Sequence, residues 1–143
     1  MSRFPIPYEV ELDRSGTAPM TLTAGQRPVL VAGPPPEFGG TDTWWSPEHL
    51  LVAATVSCMT ATYYAMAERI GLHVVAFKCK GRGVLDKSEG GVSFTAIELD
   101  VELMVAQGDV TRARKLLDDA KARCFVASSL RAPVSLVAQV SPA

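Results

Sequence analysis

The chain has 143 residues, 48% of them hydrophobic and 20% charged, with a formal net charge of -1, which is the usual size of one domain. Lys+Arg 14 against Asp+Glu 15 leaves no basic excess for gripping phosphate backbones, so nucleic-acid binding is disfavoured. A mean hydropathy of +0.16 with almost no net charge excludes a disordered chain. The opening Met1-Ser2-Arg3-Phe4-Pro5 lacks the apolar run of a secretory leader. The longest uninterrupted apolar stretch, around Leu50 to Thr55, falls short of the roughly 18 residues of a membrane span. The expectation is a cytoplasmic protein without a membrane partner, folded as a single domain over residues 1–143.

Residues 6–12, 20–23 and 29–32 read as three short strands, separated by the turn formers Asp13-Arg14-Ser15-Gly16 and Gly25-Gln26-Arg27-Pro28. They predict a small antiparallel meander. Pro34-Pro35-Pro36 predicts an extended connector poor in hydrogen bonds, and Gly39-Gly40 restores freedom before Trp44-Trp45.

Ser46-Pro47-Glu48 starts a helix: Ser caps free amides, Pro tolerates the first position, and an acidic side chain suits the positive end of the dipole. Gly71 stops it. In between, Leu51, Ala54, Thr55, Cys58, Ala61, Thr62 and Ala65 recur at helical spacing, a small-sided face that lets another backbone approach. That pattern suggests a helix passing through the middle of an assembly, plausibly a dimer.

Residues 73–85 and 92–105 alternate with period two around the turn 86–91, predicting a long hairpin. Ile97, Leu99, Val101, Leu103 and Val105 form its apolar row; Glu98, Asp100 and Glu102 can meet Lys78, Lys80 and Arg82 across the ladder. Val75, Phe77 and Cys79 share the apolar side of the first strand. Asp109 opens a second helix over 110–123 with the stripe Val110, Ala113, Leu116, Leu117 and Ala120. A polar break at Ser128-Ser129 precedes a closing strand over 134–140. The order β-β-β-α-β-β-α-β makes the class α+β.

Three cysteines without a secretory leader are core fillers, metal ligands or reactive thiols rather than a disulfide framework. Metal spacing is missing, with no C-x-x-C or H-x-x-x-H and only His49 and His73 as further ligands, so no metal and no cofactor is expected. Neither a G-x-S-x-G elbow nor a phosphate-cradling glycine loop occurs. Cys79, alternating with Val75 and Phe77 and away from cations and helix ends, reads as an inert bystander.

For Cys58 and Cys124 periodicity alone leaves the choice open. Phe38-Gly39-Gly40, then Ser46-Pro47-Glu48-His49-Leu50-Leu51-Val52-Ala53-Ala54 leading to Ser57-Cys58, with Cys124-Phe125-Val126-Ala127-Ser128-Ser129-Leu130 downstream, resembles the OsmC/Ohr family of thiol-dependent hydroperoxide reductases. The resemblance runs along nearly the whole chain and implies an OsmC-like intertwined homodimer. It further implies that Cys58 is the peroxidatic cysteine, Cys124 the resolving one, organic hydroperoxides the substrate, and an external dithiol or lipoylated protein the reductant. Glu48 matches the glutamate of the family's motif; Arg14, with Arg27 as competitor, matches its N-terminal arginine. Phe38, Trp44 and Trp45 are candidates for an apolar pocket, or for burying their loop against a partner. The chain departs from better-known members in its Trp pair and in lacking a proline after Cys124. A passive ligand-binding dimer and a redox sensor on the same fold are the alternatives.

Overall fold

The computed structural model describes residues 4–143; Met1–Arg3, the start of the segment read as leaderless, lie outside the described residues. The chain forms two compact units, one up to Leu50 and one over Leu51–Ala143.

The N-terminal unit is the expected meander. Strands β1 (Glu11–Asp13), β2 (Met20–Thr23) and β3 (Leu30–Ala32) pair antiparallel in the order β1-β2-β3, with Leu12 opposite Leu22 and Leu22 opposite Leu30. The first strand is shorter than the 6–12 pattern suggested, because β2 is used up once Glu11 has paired with Thr23. The proline run behaves differently from its expected open connector. It turns into a 3₁₀ turn over Pro36–Phe38, where the Pro35 carbonyl accepts the N–H groups of both Phe38 and Gly40 at 3.0 Å. The loop then folds back on itself, the Gly33 N–H donating to the Trp45 carbonyl at 2.9 Å. Apolar side chains of this unit point outward: Tyr8 is 85% exposed and Val10 64%.

Helix α1 (Pro47–Arg69) is capped as its sequence implies, the Ser46 hydroxyl accepting the His49 N–H at 3.0 Å. Gly71, in the left-handed region at φ 68, follows its end. By length and apolar composition α1 meets the requirement for a membrane-crossing helix, which the reading of uninterrupted apolar runs missed. Its buried residues are Thr55, Met59, Tyr63 and Ala67, so the small-sided face is not the one turned to the core. Bulk explains the choice: Met59 and Tyr63 fill the space over the sheet, which alanines cannot, while Ala61 and Ala65 stay exposed.

Strands β4 (Val74–Ser88) and β5 (Gly91–Val105) form the hairpin, tighter than expected, with only Glu89-Gly90 between them. Ile97, Leu99, Val101, Leu103 and Val105 are all buried, each contributing about 1.5–3 kcal/mol by leaving water. Lys78, Lys80 and Arg82 oppose Glu102, Asp100 and Glu98 as expected, and Arg82 reaches Glu98 at 2.7 Å. A register shift between Val74 and Ala76 reverses the phase, so Val75 is 47% exposed and Val74 packs inward in its place. The apolar row expected to include Val75 therefore begins at Phe77. At Gly81 and Gly83 a Cβ would run into Val52 and Val56 of α1, so the two glycines are what let the helix lie close against β4.

Helix α2 (Val110–Arg123) buries Ala113, Leu116, Leu117 and Ala120 as its stripe predicts. Asp109 does not cap it; its carboxylate instead accepts from Arg112 at 3.0 Å, and the same guanidinium donates to the Ile70 carbonyl at 3.0 Å. A short helix α3 (Phe125–Ser128), too brief for periodicity to reveal, follows directly. The crossover through α2 and α3 brings β6 (Val134–Pro142) back parallel to β5, giving the sheet order β4-β5-β6.

Candidate active site

Cys58 stands in the middle of α1, half-buried against the core, while Cys124 at the start of α3 is 1% exposed. The fold brings them together. Burial favours the neutral Cys58 thiol, but hydrogen bonds from the Val126 N–H, the Cys124 thiol, the Phe125 N–H and the Thr62 hydroxyl outweigh it, and the pKa falls below the ordinary thiol value. Cys124 moves the other way. Burial raises its pKa, hydrogen bonds from the Ala127 and Val126 amides work against that, and the neighbouring Cys58 raises it further. One sulfur is thus poised to be a thiolate and the other to stay protonated beside it.

The amides that favour the Cys58 thiolate exist because Cys124, extended at φ -69 and ψ 114, turns the chain from α2 into α3. Nothing in the sequence reading assigned this work to the backbone of Phe125 and Val126. The useful signal was the break after Cys124, where the α2 stripe ends and the first amides of a new turn have no carbonyl partners.

Cys58 also lines an open pocket of about 690 Å³. One wall is a face of α1, Cys58, Ala61, Thr62, Ala65, Met66 and Arg69; the other is Ala122, Arg123, Phe125 and Ser128. Arg69 and Arg123 were not singled out in the sequence, and Phe125 entered only within the stretch that carries the resemblance.

The other sequence candidates, Arg14, Phe38, Trp44, Trp45 and Glu48, belong to the N-terminal unit. Arg14 donates through Nε to the Ala18 carbonyl at 3.0 Å, holding its own turn, and Arg27 reaches the Ala24 carbonyl at 3.4 Å. The Trp44 ring lies over Gly33, where a Cβ would strike it at 2.7 Å, whereas Phe38 is 59% and Trp45 48% exposed. Glu48 stands in the first turn of α1, and its Oε1 is buried with no hydrogen-bond partner among the described residues. Cys79 sits on β4, its pKa raised by burial and by the Asp100 carboxylate. Among the described residues no group of three or more metal-ligating side chains occurs.

A meander, a long central helix, and a hairpin completed by a parallel strand, with two thiols meeting where the helix passes the α2–α3 junction, define an OsmC-like protein. The family model described as OsmC-like protein matches residues 40–138, and the chain belongs to that family. An OsmC-like protein of unknown function from Vibrio cholerae has the same fold, with a TM-score of 0.86 at 17% identity over 94% of this chain and 99% of that one. An organic hydroperoxide resistance protein from Elizabethkingia anophelis superposes with a TM-score of 0.73 at 15% identity over 98% of this chain and 100% of that one. In sequence, the uncharacterized protein YmaD of Bacillus subtilis is 25% identical over 111 residues, 75% of this chain and 74% of that protein.

Proposed function

We propose that the protein is a thiol-dependent peroxidase that reduces organic hydroperoxides to alcohols. The observation that carries this reading is a single one: a thiol of lowered pKa within hydrogen-bond reach of a second, protonated thiol. The Cys58 thiolate attacks the terminal oxygen of ROOH; the O–O bond breaks, the alkoxide takes a proton and leaves as alcohol, and Cys58 becomes a sulfenic acid. Cys124 sulfur then attacks that sulfenic sulfur, water leaves, and a Cys58–Cys124 disulfide forms. An external dithiol or a lipoylated protein returns both to thiols, and the cytoplasm supplies such reductants. No cofactor is needed for any of these steps.

Arg14 and Glu48 complete the proposed catalytic set. The buried, unpartnered Oε1 of Glu48 is an acceptor suited to a guanidinium, and an Arg14 so held would stabilise the thiolate and the polarising peroxide. Glu48 and Cys58 stand ten residues apart on α1, about 15 Å along its axis. In an intertwined homodimer, therefore, the Arg14–Glu48 pair of one protomer serves the thiol of its partner. The outward apolar side chains of the N-terminal unit support such a dimer, in which the chain acts as one OsmC-like domain and Phe38, Trp44 and Trp45 line the substrate's path. Light scattering that returns the mass of one chain at working concentration would remove the dimer.

A passive binding dimer keeps the pocket but requires thiols that react slowly and independently. The deciding experiment is a free-thiol titration before and after one equivalent of cumene hydroperoxide, followed by peptide mapping. Loss of two thiols per chain, mapped to Cys58 and Cys124 with Cys79 free, supports the peroxidase; Cys58→Ser should then abolish peroxide consumption. Persistence of all three thiols, or activity retained in Cys58→Ser, overturns it.

A further inference from the structure

The sheet of the second unit ends on β6, a strand without a charged side chain, whose register with β5 runs unbroken from Val134 to Pro142. It has neither the lysines nor the bulge that blunt an edge strand, and its one proline stands at its very end. The Pro133 carbonyl accepts the Ile97 N–H at 3.0 Å, and the Ala143 N–H donates to the Val105 carbonyl at 2.8 Å, so the odd-numbered residues turn their backbone groups to β5. Val134, Leu136, Ala138 and Val140 therefore aim theirs at the open edge, where among the described residues no other backbone group meets them. The side chains of these four pack on the core. The alternate row, Ser135, Val137, Gln139 and Ser141, forms the outer face, and Val137 stands in it 65% exposed. This edge lies apart from the proposed dimer contact. There a partner's N-terminal unit comes to Cys58 on α1, and α1 lies close against β4, at the far side of the sheet, whereas the helix packed on β6 is α2.

We propose that the β6 edge docks the same edge of a second copy, antiparallel about a two-fold axis at Val137. In that register Val134 of each copy meets Val140 of the other and Leu136 meets Ala138, so every open N–H and carbonyl of these residues is used and Pro142 stays outside the ladder. On the outer face Val137 meets its own copy where Cα atoms approach to about 4.5 Å, covering the exposed side chain, and Ser135 meets Gln139 with no like charges opposed. A register centred on Ala138 would instead set Pro142, which has no N–H, against the Val134 carbonyl, and Val137 against Gln139. One strand edge is small beside the roughly 1,200–2,000 Å² of a stable interface, so the association depends on concentration.

Light scattering from micromolar to millimolar chain tests it. The mass should rise to at least twice that of the basal unit, whether that unit is the proposed dimer or one chain. Val137→Lys, which sets two like charges against each other, should raise the midpoint concentration by about tenfold, while Val137→Thr, equally suited to a strand, should leave it within about twofold. Oxidation with diamide and peptide mapping then reads the register. Val137→Cys should close an intermolecular disulfide at position 137, since about 4.5 Å lies within bridging range, whereas Gln139→Cys, on the same face but about 13 Å from its own copy, should not. A mass that does not change with concentration overturns the self-pairing and leaves the edge to an extended peptide of another protein. Equal bridging at 137 and 139, or a midpoint unmoved by Val137→Lys, overturns it as well. A basal mass of one chain removes the intertwined dimer, and the doubling still decides the β6 contact.

Discussion

The surroundings of Cys58 and of Cys79 offer a controlled comparison, since both are half-buried thiols of the same unit. For both, burial is the largest influence and raises the pKa. They part in what else faces the sulfur. Cys79 stands on a regular strand whose amides are already committed to the ladder, and the charge added by its surroundings is the Asp100 carboxylate. Cys58 stands opposite a chain reversal whose amides are still free to donate, and the net shift changes sign. Reactivity in this unit is therefore a matter of unspent backbone donors rather than of exposure.

The largest expected effect is a direct reading of that difference. At neutral pH iodoacetamide should modify Cys58 at least about tenfold faster than Cys79, because the thiolate is the attacking species. In a pH series the Cys58 rate should reach half its plateau below the ordinary thiol pKa and the Cys79 rate above it. Equal rates, or coincident midpoints, would break the comparison at its root.

Next comes the clamp that holds the Cys58 surroundings in place. The buried Tyr63 hydroxyl donates to the Ala113 carbonyl at 3.0 Å, tying α1 to α2. Tyr63→Phe should cost about 1 kcal/mol in urea melts by removing that hydrogen bond while the Ala113 carbonyl keeps its place in the α2 ladder. Burial pushes the Tyr63 pKa from 10.0 to about 12. With the folded value raised, its contribution is full below the unfolded pKa and is lost as pH climbs through the folded one. Wild-type stability should thus fall across that alkaline window, and the phenylalanine variant should lack that part of the fall.

A smaller effect isolates the resolving thiol. Cys124→Ala removes one of the donors to Cys58 and leaves the Val126 and Phe125 amides. Alkylation of Cys58 at neutral pH should slow by about 3–5-fold and yet stay faster than that of Cys79, since the net worth of one such hydrogen bond is about 1 kcal/mol. Slowing to the Cys79 rate would mean that the thiol, not the backbone, activates Cys58.

How much of this was legible in the sequence follows the same division. The β5 row and the α2 stripe could be read residue by residue because each has one buried face, and burial imposes a period on side chains. Cys58 and Cys124 could be paired only through the family resemblance, because their meeting depends on α1 passing α3, which no local pattern encodes. Which face of α1 turns to the core of its own chain was not legible, because small residues recur at helical spacing whether they line a core or a pocket. Likewise Val75 looked like part of the apolar row, since a one-residue bulge changes phase without changing composition. Arg69 and Arg123 drew no reading from the sequence, for nothing in the linear order says that two helix ends share a pocket with a thiol.

The finest test acts on the inert side. Asp100 raises the Cys79 pKa after burial has already done so, and it pairs across the ladder with Lys80. Asp100→Asn removes the repulsion between carboxylate and thiolate while keeping the strand and the side-chain shape. Alkylation of Cys79 at neutral pH should rise by about twofold, the scale of one screened surface charge, with the Cys58 rate unchanged. The rise must be small, because burial, the larger cause, is untouched by the substitution. A rise that brought Cys79 level with Cys58 would instead make charge the switch between the two thiols, and the free amides of the α2–α3 junction would lose their part in activating Cys58.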